Sequence, residues 1–174
     1  MLKPSILYKA QLTDSFAMAS IDPSNKYFSD TYWSFESDVY TSNYNGHQFT
    51  SVDHYGNIVG FLGVTVDRGC HYVHSLACIR FLKDKKYDIL FAKDIKKFFV
   101  MMFCQFKYNK LDFTVCVGSP HENMYDKFIQ RYNGRVVGIM RNQFRTVDGE
   151  IHDTKFYEIM REDLLAAAGM KDRI

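Results

Sequence analysis

The residues best placed to do chemistry crowd one short stretch. Lys83, Lys85 and Lys86 stand in the loop Leu82-Lys-Asp-Lys-Lys-Tyr87, after a β-forming run over residues 70–81 and before helical periodicity over 88–106. The start of a helix offers unpaired N–H groups and the positive end of the macrodipole, which suit the phosphates of a nucleotide cofactor. Lysines add charge there, although an ammonium group does not reproduce a nest of backbone N–H groups. A solvated basic turn is the plainer reading of the same residues. His71 and His74 fall in the β-forming run, on opposite faces of a regular strand. Either imidazole can take a proton near neutrality, and either can equally be a surface or hydrogen-bonded core histidine. His121 and Glu122, at the start of a later helix, are further acid–base candidates.

The elements that must position these residues follow from periodicity. Residues 70–81, 88–106 and 111–117 read as strand, helix and strand, a crossover that joins parallel neighbours with a right-handed connection. Phe91, Ile95, Phe98, Met102 and Phe106 form an apolar stripe on the helix. In the second strand Leu111, Phe113, Val115 and Val117 share one face. Before the crossover, residues 48–55 and 58–66 predict two further strands, with Gly56-Asn57 as their turn and Asp67-Arg-Gly69 leading into 70–81, an antiparallel meander. After it, Ser119 and Pro120 predict the cap and first turn of a helix with Met124, Tyr125, Phe128 and Tyr132 on its core side, stopped at Asn133-Gly134. Residues 135–145 and 151–160 predict a hairpin turned at Val147-Asp-Gly-Glu150, and residues 162–168 a short last helix before a charged tail. At the other end, residues 5–9 predict a first strand. Thr13 or Asp14 predicts the cap of a helix through Phe16, Met18 and Ala19. The aromatic segment 26–44 predicts a helix packed on the sheet or a wall over a substrate pocket.

Composition sets the outer bounds. A chain of 174 residues with 47% hydrophobic and 24% charged residues is expected to form a single packed domain, residues 1–174. A net charge of +2 gives no argument for nucleic acid. Cys70, Cys78, Cys104 and Cys116 have no CxxC spacing, so neither a metal site nor a redox pair is expected, and free thiols in a reducing cytoplasm are. No apolar run of about 18 residues predicts a membrane span, and Met1-Leu-Lys-Pro carries no signal-peptide core. A cytoplasmic protein is the expectation.

The element order, and within it Tyr125-Asp-Lys-Phe128, Asn133-Gly-Arg-Val-Val-Gly138, Arg141, Asp148-Gly-Glu-Ile-His-Asp153, Phe156-Tyr-Glu-Ile159 and Arg161-Glu-Asp163, resembles the GNAT superfamily of acyl-CoA-dependent N-acyltransferases. The resemblance spans about residues 57–163, and the first fifty residues share only the order of elements. It implies an α/β (α+β) fold with a mixed central sheet of six or seven strands flanked by helices. It implies acetyl-CoA in the splay between strands 70–81 and 111–117, with Ile79, Lys83, Lys85, Lys86 and Tyr87 as cofactor contacts. It implies an amine substrate, small molecule or protein, entering from the side of the first helices. Tyr125 matches the position of the family's general acid, and its other reading is a core tyrosine. His74 is the candidate base. The family's phosphate signature, Arg or Gln, two residues, Gly, one residue, then Gly or Ala, is replaced here by Lys83-Asp-Lys-Lys-Tyr-Asp-Ile89, which has no glycine. The Asn that usually follows the family's fifth strand is also absent near Gly118. The rival expectation is therefore a catalytically degenerate GNAT-like structural or assembly protein, such as a bacteriophage virion component, homo-oligomeric or built into a virion.

Overall fold

The computed structural model describes residues 1–27, 39 and 42–169. Its described elements run β1 (Leu2–Pro4), α1 (Lys9–Ile21), β2 (Ser42–Asn43), β3 (Gly46–Val52), β4 (Ile58–Asp67), β5 (Tyr72–Arg80), α2 (Asp88–Val100), β6 (Lys110–Cys116), α3 (Glu122–Arg131), β7 (Arg135–Arg145), β8 (Ile151–Met160) and α4 (Arg161–Ala167). One mixed sheet takes the order β1-β3-β4-β5-β6-β8-β7, with β2 paired to β3 off this path. The expected mixed sheet flanked by helices is present, and β5 and β6 are its parallel pair. The meander β3-β4-β5 and the hairpin β7-β8 are antiparallel, as the turn residues predict.

Each face of the sheet carries its own core. On one face α2 and α3 bury Phe91, Phe98, Phe99 and Ile129 against Leu62, Val64, Val73, Leu111, Phe113 and Tyr157. On the other, α1 places Leu12 and Phe16, an i, i+4 pair, against Phe61, Ile79 and Val52. Phe16 meets the edges of Phe61 and Phe81 at centroid distances of 5.3 and 5.1 Å, the preferred aromatic geometry.

The structure corrects several local expectations. The first strand is Leu2–Pro4, and Ser5–Tyr8 form a 3-10 turn that runs into α1. A helical start directly after Pro4 leaves Thr13 in mid-helix, where its hydroxyl donates to the Lys9 carbonyl (3.1 Å) instead of capping. The β3–β4 turn is wider than Gly56-Asn57, because the Asp53 carboxylate gathers the N–H groups of Tyr55 and Asn57 at 2.9 Å each. The helix expected to end at 106 changes at Met101–Gln105 to π geometry. That wider turn brings Phe103 into the core beside Met102 and turns Phe106 out, 38% exposed. Helix α3 starts at Glu122, so Ser119 is too early to cap it; its buried hydroxyl has no partner among the described residues. Met124 faces solvent, and Ile129 takes the core position. Most of the 26–44 aromatic segment, with Phe28, Tyr32, Trp33, Phe35 and Tyr40, lies outside the described residues. Its end is strand β2 and not helix.

Candidate functional site

Strands β5 and β6 touch through one register pair, Val73 opposite Leu111, and part beyond it. The edge of β5 that faces β6 therefore has no ladder partner among the described residues over its C-terminal half. A second irregularity falls on the same strand. Gly63 of β4 pairs with Ala77 and Thr65 with His74, so Ser75 and Leu76 together oppose Val64. Ser75 holds a left-handed φ of +54° to make this bulge. The bulge resets which way the strand faces. Val73, Leu76 and Cys78 turn toward α2 and α3, and Ala77 and Ile79 toward α1. No glycine marks the bulge, which is why strict alternation over 70–81 misses it.

The splay opens on a cleft of about 270 Å³ lined by Asn25, Cys78, Ile79, Arg80, Lys83, Pro120 and His121. A larger cleft of about 530 Å³, walled by Asp14, Met18, Ile21, Ile58 and Phe81, shares Asn25 and Lys83 with it and runs along α1. Tyr125, on α3, packs on Phe113 at 5.1 Å, on the same face of the sheet as Cys78 of the cleft wall. Desolvation pushes the Cys78 thiol up to about 12, and the nearby Tyr125 phenol opposes that rise. Desolvation and then the Arg80 guanidinium hold the His121 imidazole below its usual value, although the residue as a whole stays exposed.

The other candidates fall apart from this centre to different degrees. Ile79 is 4% exposed and lines the cleft from within the α1 core. His74 lies on the α1 face, where Ser75 Oγ meets its Nδ1 at 2.9 Å. The structure thus sets His74 and Tyr125 on opposite faces of the sheet. His71 is not on the strand at all: it sits in the preceding turn at φ +53°, and its carbonyl accepts the Asn109 N–H. Glu122 is committed to a salt bridge with Lys155 and to the Gly118 N–H, which lower its pKa. Lys155 also meets Asp126 (3.2 Å), which accepts the Tyr157 hydroxyl at 2.7 Å, and this network ties the start of α3 to β8.

The basic loop is occupied by its own carboxylates. Lys85–Tyr87 form a 3-10 turn that runs into α2, and Asp84 caps it by accepting the Lys86 N–H at 3.0 Å. The Tyr87 N–H goes to the Asp84 carbonyl and the Asp88 N–H to that of Lys85. Lys83 meets Asp22 at 2.5 Å, Lys86 meets Asp84 at 3.3 Å, and Arg80 pairs with Asp88. Tyr87 packs inward and its hydroxyl donates to Asp53 at 3.3 Å. Lys85 is exposed. Tested against coenzyme A, the site fits at one end only. The open β5 edge suits the amide-bearing pantetheine arm, whereas the α2 start holds two carboxylates where a pyrophosphate would need cations and free N–H groups.

Among the described residues no group of His, Cys, Asp and Glu could hold a metal ion, and no helix is long and apolar enough to cross a membrane. No family model matches the sequence, and no curated protein matches it. Solved structures do. A spermidine/spermine N-acetyltransferase from Vibrio cholerae superposes with a TM-score of 0.69 at 12% identity, covering 95% of each chain. A GCN5-related N-acetyltransferase from Brucella melitensis gives 0.67 at 14% identity, over 97% of this chain and 78% of that one. At such identities the likeness speaks for architecture, and the architecture is that of the GNAT acetyltransferases.

Proposed function

We propose that this chain is an N-acyltransferase that moves an acyl group, acetyl in the simplest case, from a thioester to an amine. The observation that carries the reading is the open edge of β5 beyond Val73, inside the sheet and on the strand whose Cys78 shares a face with Tyr125. An extended thioester can lie along that edge as an added strand, with its amides on the unpaired backbone groups. The amine nitrogen attacks the carbonyl carbon, the C–S bond breaks, and the Tyr125 hydroxyl gives its proton to the leaving sulfur. The Ser75–Leu76 bulge, where β5 leaves its regular pairing with β4, is proposed to supply backbone N–H groups for charge developing on the carbonyl oxygen. The amine is proposed to approach from the α1 face, where His74 keeps Nε2 for its proton. A cytoplasmic location stays part of this proposal.

A second reading has its own support. The carboxylate-closed loop suits a chain that keeps the architecture as an assembly or scaffolding part and has given up transfer chemistry. Calorimetric titration with acetyl-CoA and with S-acetylpantetheine, followed by a thiol-release assay over a panel of amines, separates the two. Saturable binding with amine-dependent thiol release supports the transferase. Flat titrations with both thioesters at millimolar concentration would sink it.

A further inference from the structure

Building on the transferase reading, we infer that the acyl donor is recognised through its pantetheine arm alone, and that Asp84 and Asp88 exclude pyrophosphate from the start of α2. Three observations converge on this. The first is where the N–H groups go. A helix start binds phosphate with donors that have no intrahelical acceptor. Here the 3-10 turn moves the start of the helical run back to Lys85, and the groups of Lys86, Tyr87 and Asp88 are spent on Asp84 and Lys85. The second is charge. Asp84 and Asp88 already complement the positive end of the helix, and they hold Lys86 and Arg80. Lys83 is turned to Asp22. A pyrophosphate would have to break these pairs or lie beside carboxylates of its own sign. The third is space. Residues 82–88 include no glycine, so every position carries a Cβ at the place where a diphosphate needs the bare backbone.

The cleft end of the site has none of these obstacles. Cys78, Ile79, Pro120 and His121 line it together with Asn25 and the already paired Arg80 and Lys83, no carboxylate among them, and it continues onto the unpaired edge of β5. The nucleotide half of an acyl-CoA therefore adds nothing to its affinity, and acyl-CoA and simple pantetheine thioesters are equivalent donors.

The experiment compares acetyl-CoA with S-acetylpantetheine by calorimetry, on wild type and on Asp84→Asn with Asp88→Asn. Asn keeps the capping acceptor for the Lys86 N–H and removes the charge, and thermal unfolding verifies that the double variant is folded. In wild type the two dissociation constants are expected within tenfold of each other. In the variant, the freed Arg80 and Lys86 should favour acetyl-CoA by tenfold or more. A wild-type preference of tenfold or more for acetyl-CoA overturns the inference and leaves the transferase reading intact. A variant ratio equal to wild type overturns the role given to the two carboxylates. Absence of binding by either thioester removes the transferase reading and this inference together.

Discussion

Tyr125 of α3 packs on Phe113 of β6 with ring centroids 5.1 Å apart, on the same face of the sheet as Cys78, which lines the cleft that opens where β5 leaves β6. On the transferase reading, the half-buried Cys78 thiol beside the Tyr125 side of the cleft marks where the sulfur of a bound thioester would come to lie. Tyr125→Phe keeps the ring on Phe113 and removes only the proton donor. We expect kcat to fall by roughly 10²-fold or more with donor affinity almost unchanged, the pattern of a lost general acid. Unaltered turnover would return Tyr125 to a packing role.

The loop lysines give a contrasting prediction. Lys86 is engaged by Asp84 and lies over the Tyr87 ring at 4.9 Å, while Lys85 is exposed. Replacing both by Ala should change acetyl-CoA affinity by less than about threefold, because an exposed ion pair contributes little and is screened by salt. A tenfold loss that shrinks in high salt would show that the lysines do reach phosphate.

Much of the frame is legible in the residues alone. The crossover from 70–81 through the helix to 111–117, the meander and the final hairpin all follow from period and turn chemistry. The closed loop was half visible. Lys83, Lys85 and Lys86 stand out as charge, but the carboxylates that hold Lys83, Lys86 and the neighbouring Arg80 become meaningful only when the fold brings Asp22 to Lys83 and Asp88 to Arg80. The bulge at Ser75 and the π turn at Met101–Gln105 each add one residue to a regular period, and neither is marked by Gly or Pro. Asp94, which the apolar stripe of the helix does not include, is buried on α2 and accepts the Ser51 hydroxyl at 2.7 Å. A buried carboxylate among aromatics is a tertiary arrangement that local pattern does not carry.

A pH dependence follows from the far end of the sheet. His47 is buried, with Ser42 Oγ at 2.8 Å from Nδ1, the Tyr108 hydroxyl at 2.7 Å from Nε2, and the Phe106 ring stacked at 4.3 Å. Tyr108 is 2% exposed, so its phenol must donate to Nε2, which leaves Nδ1–H to donate to Ser42. Burial, then the charge of Arg68, lower the His47 pKa. A proton is thus taken up more readily by the unfolded chain, and stability rises with pH in that window. The contribution is complete above the ordinary imidazole value near 6.5 and is lost as pH falls through the folded value. The loss is at most about 1.4 kcal/mol per pH unit between the two. His121 shifts the same way, so the isolating measurement is the melting temperature from pH 7.5 to 5 in wild type and His47→Gln. The wild type should show the steeper fall. Parallel curves would exclude His47 as the titrating group.

The last prediction tests how tightly the cleft strand is held. Gly60 of β4 pairs with Arg80 of β5, and a Cβ built on it would lie 2.4 Å from the Ile79 carbonyl oxygen and 2.5 Å from the Phe91 ring. One neighbour is the backbone of the strand that walls the cleft; the other is a buried ring of α2. Neither can yield without moving β5 or opening the core, because Ile79 and Phe91 are 4% and 7% exposed. Gly60→Ala is therefore expected to cost about 1–3 kcal/mol, as overpacking does, despite the better strand propensity of Ala over Gly. If β5 yields in preference to α2, the edge proposed to receive the thioester shifts with it, and donor affinity falls alongside the melting temperature. If α2 yields, stability falls and donor affinity holds. An alanine variant as stable as wild type would mean that β4, β5 and α2 are not packed at this distance around Gly60.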